Sequence, residues 1–287
     1  MGKGRRHSLV DEEQPLGIVE GWEDGERYKR PVTKLDRWEL QSADRLTLRI
    51  GEQEIVLVQD PHSNHLGGYI WLTAIVFCSY LDVLRSKRTR HEWISLSRTK
   101  RWVELGSGIG LLGIMLHKLG VEDVVMTDIE ELIPVMEKNV EANGIGVKSI
   151  SGRRKNPVDD SNIIIVEPLL WNDDNAIDHI KAAGEIDYIL ACDCIYSEAS
   201  AVDLVETMEK LASEETTIIC ISEVRNQAAQ ERFLAEANMR FEVELLPAIQ
   251  WQKKVVSQID FEETLNLYRL RKSRKKLESV NAHDSFK

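Results

Sequence analysis

The stretch from Arg101 to Gly113 limits the possible folds of this chain more than any other. It reads RWVELGSGIGLLG, a short apolar run that ends in an acidic residue and passes through a glycine-rich turn into a second apolar run. That order predicts a strand, a tight turn and a helix. Gly106, Gly108 and Gly110 can adopt backbone angles that are closed to other residues, and a helix begins with unpaired N–H groups. The turn is therefore expected to bind a nucleotide-like ligand.

Two acidic residues narrow the choice of ligand. A second apolar run ends at Asp128, 22 residues after Gly106, where a second parallel strand would present a carboxylate to a ribose diol. Glu104 lies at the end of the first strand, two residues before Gly106. A carboxylate there would repel a pyrophosphate but attract an ammonium or sulfonium group. The pattern therefore favours S-adenosylmethionine, a cationic nucleoside, over NAD.

Strand and helix patterns alternate over residues 100–240, which predicts one doubly wound α/β domain. Continuous apolar runs are expected to form parallel strands that are buried on both faces. A β-hairpin over residues 46–58 and a buried helix over residues 72–81 are predicted before the glycine turn. The last two runs alternate and predict a closing antiparallel hairpin. The predicted strands of the main sheet cover residues 101–105, 124–128, 162–166, 186–192, 216–222, 241–246 and 265–270.

The domain is expected to lie between two terminal segments. Residues 1–40 are polar and charged and show no strand or helix period, which predicts a mobile arm. Trp22 and Trp38 are the candidate anchors of that arm. Residues 41–272 form the predicted domain, and residues 273–287 a basic, solvated tail. A role of the tail in nuclear import or partner binding is the alternative.

Composition argues against several classes of partner. The chain of 287 residues is 43% hydrophobic and 30% charged, which is typical of soluble globular proteins. Its net charge of −11 argues against an extended nucleic-acid surface. No apolar run approaches the roughly 20 residues of a membrane span. Neither nucleic acid nor a membrane is therefore expected as a partner.

The cysteines point to a reducing compartment. All four lie inside apolar runs, and Cys192 and Cys194 form a C-x-C pair that cannot supply a zinc site alone. Reduced, buried thiols are expected. We therefore predict no metal site and a cytoplasmic protein, with nuclear entry as an additional possibility.

Asp193 and Tyr196 follow the predicted strand 186–192 and are the candidate catalytic residues. Methyl transfer from a sulfonium depends mainly on the position of the nucleophile. A lysine acceptor must also be neutral, although its pKa in solution is about 10.4. Asp193 would hydrogen-bond the amine, and Tyr196 would flank its alkyl stem. The alternative for this pair is an acidic helix cap and a core tyrosine.

Two tryptophans are candidates for ligand contact. Trp71 follows the glycine pair of HLGGYIW, just before the predicted buried helix. Trp171 lies near the end of the strand that begins at residue 162, on the edge where open α/β sheets bind ligands. Packing in the core is the alternative for both side chains.

These motifs together resemble the class I S-adenosylmethionine-dependent methyltransferases. The residues that carry the resemblance are VELGSG from Val103, TDIEEL from Thr127 and ACDCIYSE from Ala191. Their D-x-x-Y motif is similar to that of the non-histone protein-lysine methyltransferases. Within that branch, residues 65–272 resemble the methyltransferase-like 21 group, which includes the lysine methyltransferase of valosin-containing protein. The N-terminal arm and the segments 85–100 and 145–160 exceed the usual length of the family.

The resemblance implies a Rossmann-like, seven-stranded sheet that is mostly parallel, with a C-terminal antiparallel hairpin, helices on both faces and an N-terminal β-hairpin. It implies S-adenosylmethionine as the cofactor and a protein substrate that presents a lysine, with a chaperone-like AAA ATPase as the candidate. A monomer is expected. Close relatives carry alanine where this chain has Cys192. The residues expected to contact the cofactor are Trp71, Glu104, Gly106, Ser107, Gly108, Gly110, Asp128, Ile129, Trp171 and Cys192.

Two other functions stay open at this point. The same fold is used by small-molecule N-methyltransferases, and it would also suit a non-catalytic S-adenosylmethionine-binding partner protein. Methylation of nucleic-acid bases fits less well. Amino-group methylation of bases typically uses a pair of prolines after the aspartate, where this chain has Cys194 and Ile195, and no Pro-Cys pair for cytosine C5 chemistry occurs.

Overall fold

The computed structural model describes residues 15–87, 93–151, 162–255, 261 and 265–272. The chain begins there with a layer made of β1 (Gly17–Glu23), β2 (Glu26–Val32), α1 (Arg37–Ser42), β3 (Arg45–Ile50) and β4 (Gln53–Val58). Its four strands form an antiparallel sheet in the order β2-β1-β3-β4. The predicted hairpin over residues 46–58 is the β3-β4 half of this sheet.

This layer corrects the prediction of a mobile N-terminal arm. An arm without regular structure is wrong for residues 15–40, because β1, β2 and most of α1 lie there. Among the described strands β2 pairs with β1 alone, at the sheet edge, and it is mostly exposed, so its sequence carries no apolar alternation. Trp22 and Trp38 are not anchors, since they are 62% and 79% exposed. Val19 and Leu40 are buried instead.

An eight-stranded sheet forms the centre of the molecule. Its order is β11-β12-β10-β9-β5-β6-β8-β7, parallel except at β12, which runs antiparallel to both neighbours. All seven predicted strands are present. The strands are β5 (Arg101–Leu105), β6 (Asp123–Asp128), β7 (Gly146–Lys148), β8 (Ile163–Pro168), β9 (Tyr188–Cys192), β10 (Thr217–Glu223), β11 (Phe241–Leu246) and β12 (Leu265–Lys272).

The helices cover both faces of this sheet, and each face has its own apolar core. One core packs β5 and β6 against α2, α3, α4, α8 and the N-terminal layer, and the other packs the opposite face against α5, α6 and α7. No helix within the described ranges has the length and apolarity to cross a membrane. The helices are α2 (Leu72–Lys87), α3 (Leu111–Lys118), α4 (Ile133–Ala142), α5 (Asp174–Ala182), α6 (Glu198–Leu211), α7 (Gln227–Arg240) and α8 (Ala248–Val255).

Several elements differ from the sequence-based expectation. The helix α2 continues to Lys87, beyond the predicted end at residue 81. The short strand β7 lies in the segment 145–160 that was expected to be a surface insertion, and it adds an eighth strand at the sheet edge. The helices α5 and α8 were not predicted. The predicted tail 273–287, residues 1–14 of the predicted arm and parts of the segments 85–100 and 145–160 lie outside the described residues.

Candidate active site

The carboxyl ends of β5 and β9 form a crevice in the middle of the central sheet. The strand β5 pairs with β6 on one side and with β9 on the other, so the chain winds in opposite directions from β5. Ligands of open α/β sheets bind at such a switch point. A cavity of about 590 Å³ opens there. That volume is within the range of small-molecule binding sites.

The glycine turn after β5 forms one wall of the cavity. Gly106, Gly108 and Gly110 have φ angles of 66°, 54° and 88°, in the left-handed region that favours glycine. A methyl group on Gly106 would lie 2.8 Å from the Cys194 Sγ, and one on Gly108 would lie 3.0 Å from the Gly67 carbonyl oxygen. The turn therefore needs glycine both for its backbone angles and for the close approach of neighbouring segments.

Gly110 is the one predicted cofactor contact that does not border the cavity. It directly precedes α3, and a methyl group on it would lie 2.5 Å from the Met126 Cε, on the core side of the turn. The third glycine of the motif therefore serves the turn and its packing. Direct contact between Gly110 and the cofactor stays a prediction.

The acid after β6 is tied to the glycine turn. Asp128 Oδ2 accepts a hydrogen bond from the Gly108 N–H at 2.7 Å, and Oδ1 accepts one from the Ile129 N–H at 2.8 Å. Ser107 joins the same two strands, since its N–H donates to the Thr127 carbonyl at 2.9 Å and its Oγ accepts from the Thr127 N–H at 3.1 Å. Each carboxylate oxygen of Asp128 has capacity for a further donor, such as a ribose hydroxyl.

Glu104 lies buried beneath the turn, only 2% exposed. Its Oε2 accepts a hydrogen bond from the Gly113 N–H at 3.1 Å, and the carboxyl group borders the cavity. Burial raises the pKa of Glu104 to about 8, and the hydrogen bonds from Ser107 and Gly113 oppose that rise. A positive group in the cavity would favour the ionised form of this carboxyl.

Both candidate tryptophans border the cavity and are half-buried. Trp71 directly precedes α2, and its Nε1 donates a hydrogen bond to the Leu66 carbonyl at 2.9 Å. Trp171 follows β8 and lies beside the glycine turn, because a methyl group on Gly106 would be 3.3 Å from its ring. The ring centroids of Trp171 and Tyr196 are 6.0 Å apart. Both indole rings therefore form part of the cavity wall.

Asp193 is held in an unusual backbone conformation directly after β9. Its φ of 55° is left-handed, which costs a non-glycine residue of the order of 1–3 kcal/mol. The side chain is 2% exposed, and Oδ1 accepts a hydrogen bond from the Glu223 N–H at 3.0 Å. Strain of this kind persists where the surroundings fix the residue, and it is concentrated at functional sites.

The alternative of a helix cap and a core tyrosine does not describe this pair. The N-cap of α6 is Ser197, whose side chain accepts a hydrogen bond from the Ser200 N–H. Tyr196 is 47% exposed and borders the cavity. Partial burial raises the pKa of its hydroxyl, so the side chain is a neutral aromatic wall near pH 7.

Arg225 lies beside Asp193 and Glu223 at the cavity wall, and it was not predicted from the sequence. Its Nη2 lies 3.0 Å from Asp193 Oδ2 and 2.6 Å from Glu223 Oε2, and its Cζ lies 4.2 Å from the centroid of the Trp71 ring. Arg225 lies two residues beyond the end of β10, a neighbour of β9. Its place near the carboxyl end of a central strand is the signal that would have found it.

Cys192 and Cys194 line the cavity as neutral thiols. Cys192 ends β9 and Cys194 lies buried against the glycine turn, where its Sγ is 3.2 Å from the Leu105 carbonyl oxygen. Burial raises the pKa of both thiols well above the ordinary value, so neither is a thiolate at neutral pH. Across the described residues no cluster of three His, Cys, Asp or Glu side chains is arranged to hold a metal ion.

Three features of the cavity wall fit S-adenosylmethionine. The turn exposes glycine backbone where side chains would clash, Asp128 offers acceptors for a diol, and Glu104 is a buried carboxyl that a cation would ionise. All predicted site residues except Gly110 border this one cavity: Trp71, Glu104, Gly106, Ser107, Gly108, Asp128, Ile129, Trp171, Cys192, Asp193 and Tyr196.

Known proteins are similar to this chain over most of its length. Residues 50–240 match the family described as lysine methyltransferase. The protein N-lysine methyltransferase METTL21A of Danio rerio is 30% identical over 204 residues, which cover 71% of this chain and 81% of that protein. The protein-lysine N-methyltransferase EFM6 of Saccharomyces cerevisiae is 24% identical, with 65% and 75% covered. The EEF1A lysine methyltransferase 3 of Xenopus tropicalis is 24% identical, with 70% and 73% covered.

Proposed function

Because the chain belongs to the lysine methyltransferase family, with S-adenosylmethionine as its methyl donor, we propose that it methylates a lysine on the surface of a folded, non-histone protein. The observation that carries the choice of a protein substrate is the apolar mouth of the cavity. Leu66, Leu170 and Tyr196 border the cavity and are nevertheless 48%, 66% and 47% exposed. Exposed apolar patches mark contact surfaces for other proteins.

The proposed roles of the residues follow from their places in the cavity. The cofactor, when bound, supplies a methyl group on a positively charged sulfur. The glycine turn and Asp128 would hold its nucleoside, with Trp71 and Trp171 against its apolar surface. Asp193 would hydrogen-bond the acceptor amine, and Tyr196 would flank the alkyl stem. Partial desolvation would lower the pKa of the amine and favour its neutral, nucleophilic form.

The first experiment separates a protein substrate from a small-molecule substrate. The chain is incubated with methyl-labelled S-adenosylmethionine and, in parallel, with the protein fraction and the low-molecular-weight fraction of a cell lysate. We expect label in protein, recovered as methyllysine after acid hydrolysis. Label confined to the low-molecular-weight fraction would support the N-methyltransferase alternative and overturn the proposal. Cofactor binding without labelled product would favour the non-catalytic alternative.

The mouth of the cavity gives a second test of the same proposal. The variants L66E and L170E are expected to reduce labelling of protein by about tenfold while S-adenosylmethionine binding stays unchanged, because both side chains lie at the exposed rim. The variant I249E is the matched control, since Ile249 on α8 is 73% exposed but does not border the cavity. Equal labelling by all three variants would show that the rim does not contact the substrate.

For the target we propose a chaperone-like AAA ATPase, because residues 65–272 resemble the methyltransferase-like 21 group, which includes the lysine methyltransferase of valosin-containing protein. One relative is named for the elongation factor EEF1A, which makes that protein the second candidate. Purified valosin-containing protein and purified elongation factor 1A would be offered side by side. Label on neither protein, together with label on another lysate band, would overturn the choice of target but not the reaction.

We also propose that the chain acts as a monomer. Within the described ranges one chain supplies the turn, both tryptophans and Asp193 to the same cavity. Light scattering of the purified chain tests this. A dimer that persists at assay concentration would contradict it.

A further inference from the structure

We propose that Arg225, supported by Glu223 and Arg37, is a positioning residue that holds the Asp193 carboxylate for the acceptor amine and disfavours the protonated form of that amine. The inference rests on the proposed function, since it assigns a role at the same site. It adds a contribution from the N-terminal layer, because Arg37 lies outside the residues 50–240 that match the family.

The first step is the fixed position of Arg225. Its guanidinium has three partners at once: the carboxylates of Asp193 and Glu223 and the face of the Trp71 ring. The side chain is only 28% exposed. A planar guanidinium with this set of contacts is preorganised by its fork geometry and by stacking, in a way that a lysine could not reproduce. It therefore acts as a fixed part of the wall.

The second step is the effect of that position on Asp193. The two carboxylate oxygens have separate donors, since Oδ1 takes the Glu223 N–H and Oδ2 takes Arg225 Nη2. Together they fix the orientation of a side chain whose backbone is left-handed. Each oxygen still has an acceptor site for an amine hydrogen. Arg225 thus fixes the Asp193 carboxylate at the cavity wall, where an acceptor amine would use a remaining lone pair.

The third step is the link to the N-terminal layer. Arg37 on α1 places its Nη2 2.6 Å from Glu223 Oε2, the same oxygen that binds Arg225. Glu223 therefore joins two arginines, one from α1 and one from the loop after β10, and its own N–H binds Asp193. Two residues that are 186 positions apart in the chain meet at one carboxylate. The N-terminal layer in this way supports the acceptor end of the cavity, which is the part of the wall formed by Asp193, Tyr196 and Arg225.

The charge of Arg225 has a second consequence for the amine. A like charge within a few Å disfavours the protonated form of an amine, and the usual shift is of the order of one pKa unit or more. The substrate lysine needs such a shift because its pKa in solution is about 10.4. A guanidinium beside Asp193 lets the carboxylate orient the amine without stabilising the ammonium form strongly.

Other ionisable groups face the same cavity and would be common to all variants. The carboxyl groups are those of Glu104, Asp128 and Asp203, and His65 also lines the cavity. Burial raises the pKa of Cys192, Cys194 and Tyr196, so these three stay neutral near pH 7. Tyr69 also borders the cavity. The ratio of variant to unaltered protein at each pH removes their contribution.

The test compares R225Q and R225K with the unaltered protein, using label transferred to the principal protein band of a lysate. For R225Q we expect a rate about tenfold lower near pH 7.5 and, near pH 9.5, only the smaller loss that R225K shows, because the amine of the variant complex deprotonates at higher pH. R225K keeps the charge and should show a smaller loss that does not change with pH. R232Q is the control, since Arg232 on α7 forms an ion pair with Glu236 and does not border the cavity.

Arg37 is tested in the same assay with a matched variant of its own layer. We expect R37Q to lose about threefold in kcat with little change in the affinity for S-adenosylmethionine, because Arg37 does not border the cavity and is joined to Asp193 through Glu223. R30Q should behave like the unaltered protein, since Arg30 pairs with Glu23 and Glu39 in the N-terminal layer. Calorimetry with S-adenosylmethionine confirms that each variant is folded.

The outcomes separate this inference from the proposed function. If the unaltered protein labels no protein, the proposed function fails. If it labels protein and R225Q shows a loss that is the same at every pH, the charge of Arg225 does not act on the amine and the electrostatic part is overturned. If R225Q and R37Q both match their controls, the positioning role itself is wrong.

Discussion

The Asp128 carboxylate and the Gly108 N–H are joined by a hydrogen bond of 2.7 Å across two neighbouring strands. The acid after β6 therefore fixes the glycine turn after β5, in addition to offering acceptors to a ligand. Its second oxygen binds the Ile129 N–H, so one carboxylate orders both sides of the crevice. Burial raises the pKa of Asp128, and these two backbone donors oppose that rise.

The variant D128N tests this double role. The amide has only one acceptor oxygen, so one of the two backbone N–H groups would lose its partner and face an NH₂ group. We expect S-adenosylmethionine to bind at least about tenfold more weakly and the melting temperature to fall by a few degrees, since an unsatisfied buried donor costs about 1–3 kcal/mol. The control is D203N, which removes a carboxylate from the cavity wall without touching the turn. Similar affinities of the two variants would show that only net charge matters.

The variant G106A tests whether the glycine turn is shaped for a ligand or only for its backbone angle. A methyl group on Gly106 would lie 2.8 Å from the Cys194 Sγ and 3.3 Å from the Trp171 ring. The matched control is G144A, because Gly144 has a similar φ of 73° and no heavy atom within 4 Å of the added methyl group. Both variants should lose about 1 kcal/mol of stability from the backbone angle. Only G106A should also lose binding of S-adenosylmethionine, by about tenfold or more, as measured by calorimetry.

If G106A and G144A bind the cofactor equally well, the space between Gly106 and Trp171 is not part of the binding site. Both positions share the cost of the backbone angle, and only G106A adds crowding. A far larger loss of stability in G144A than in G106A would therefore contradict this assignment. Thermal melting without ligand separates these cases from a loss of binding.

The raised pKa of Glu104 predicts that the stability of the protein depends on pH. Burial raises its pKa from the ordinary value of 4.5 to about 8 in the folded protein, so the folded state binds the proton more tightly than the unfolded chain. Its contribution to stability is therefore complete below pH 4.5, falls as the pH rises and is lost above about pH 8. The variant E104Q lacks this titration. The melting temperature of the unaltered protein should fall relative to that of E104Q between about pH 5 and pH 8.

The same carboxyl predicts proton release when the cofactor binds. A cationic ligand would favour the ionised form of Glu104, so S-adenosylmethionine should bind more tightly as the pH rises towards about 8. Calorimetry in two buffers with different ionisation enthalpies measures the released protons. Adenosine, which lacks the cationic part, is the control ligand. Proton release that persists in E104Q, or that occurs equally with adenosine, would assign the effect to another group.

The parts of the fold that the sequence predicted are those with a local signal. The strands β5 and β9 are short apolar runs, and the glycines after β5 are required by positive φ angles at three positions. Alternation of apolar residues was enough to place the hairpin of β3 and β4. The strand β2 was not predicted because an exposed edge strand needs no apolar face. The strand β7 was not predicted because three residues are too few to show a period.

The acceptor end of the cavity could be predicted only in part. Asp193 and Tyr196 lie three residues apart directly after a strand, so spacing was sufficient to find them. Arg37 and Glu223 are 186 residues apart, and nothing local in either segment signals their ion pair. Long-range polar contacts depend on how complete layers pack together, in this case the N-terminal sheet on the central one.

The variant D193N is the most direct test of the acceptor site. Asparagine tolerates the left-handed φ of 55° better than alanine does, so the backbone after β9 should be preserved. The amide oxygen can still accept the Glu223 N–H, whereas the ion pair with Arg225 and the negative charge beside the acceptor amine are lost. We expect the rate of transfer to protein to fall by about 100-fold or more, the usual effect of removing a group that contacts the reacting atoms. Binding of S-adenosylmethionine should stay within about threefold, since the glycine turn and Asp128 are untouched.

The variant D193G keeps the backbone angle but removes every acceptor, and it should be at least as inactive. If D193N transfers methyl groups at the rate of the unaltered protein, the carboxylate does not orient the amine, and its buried ion pair with Arg225 serves the structure alone.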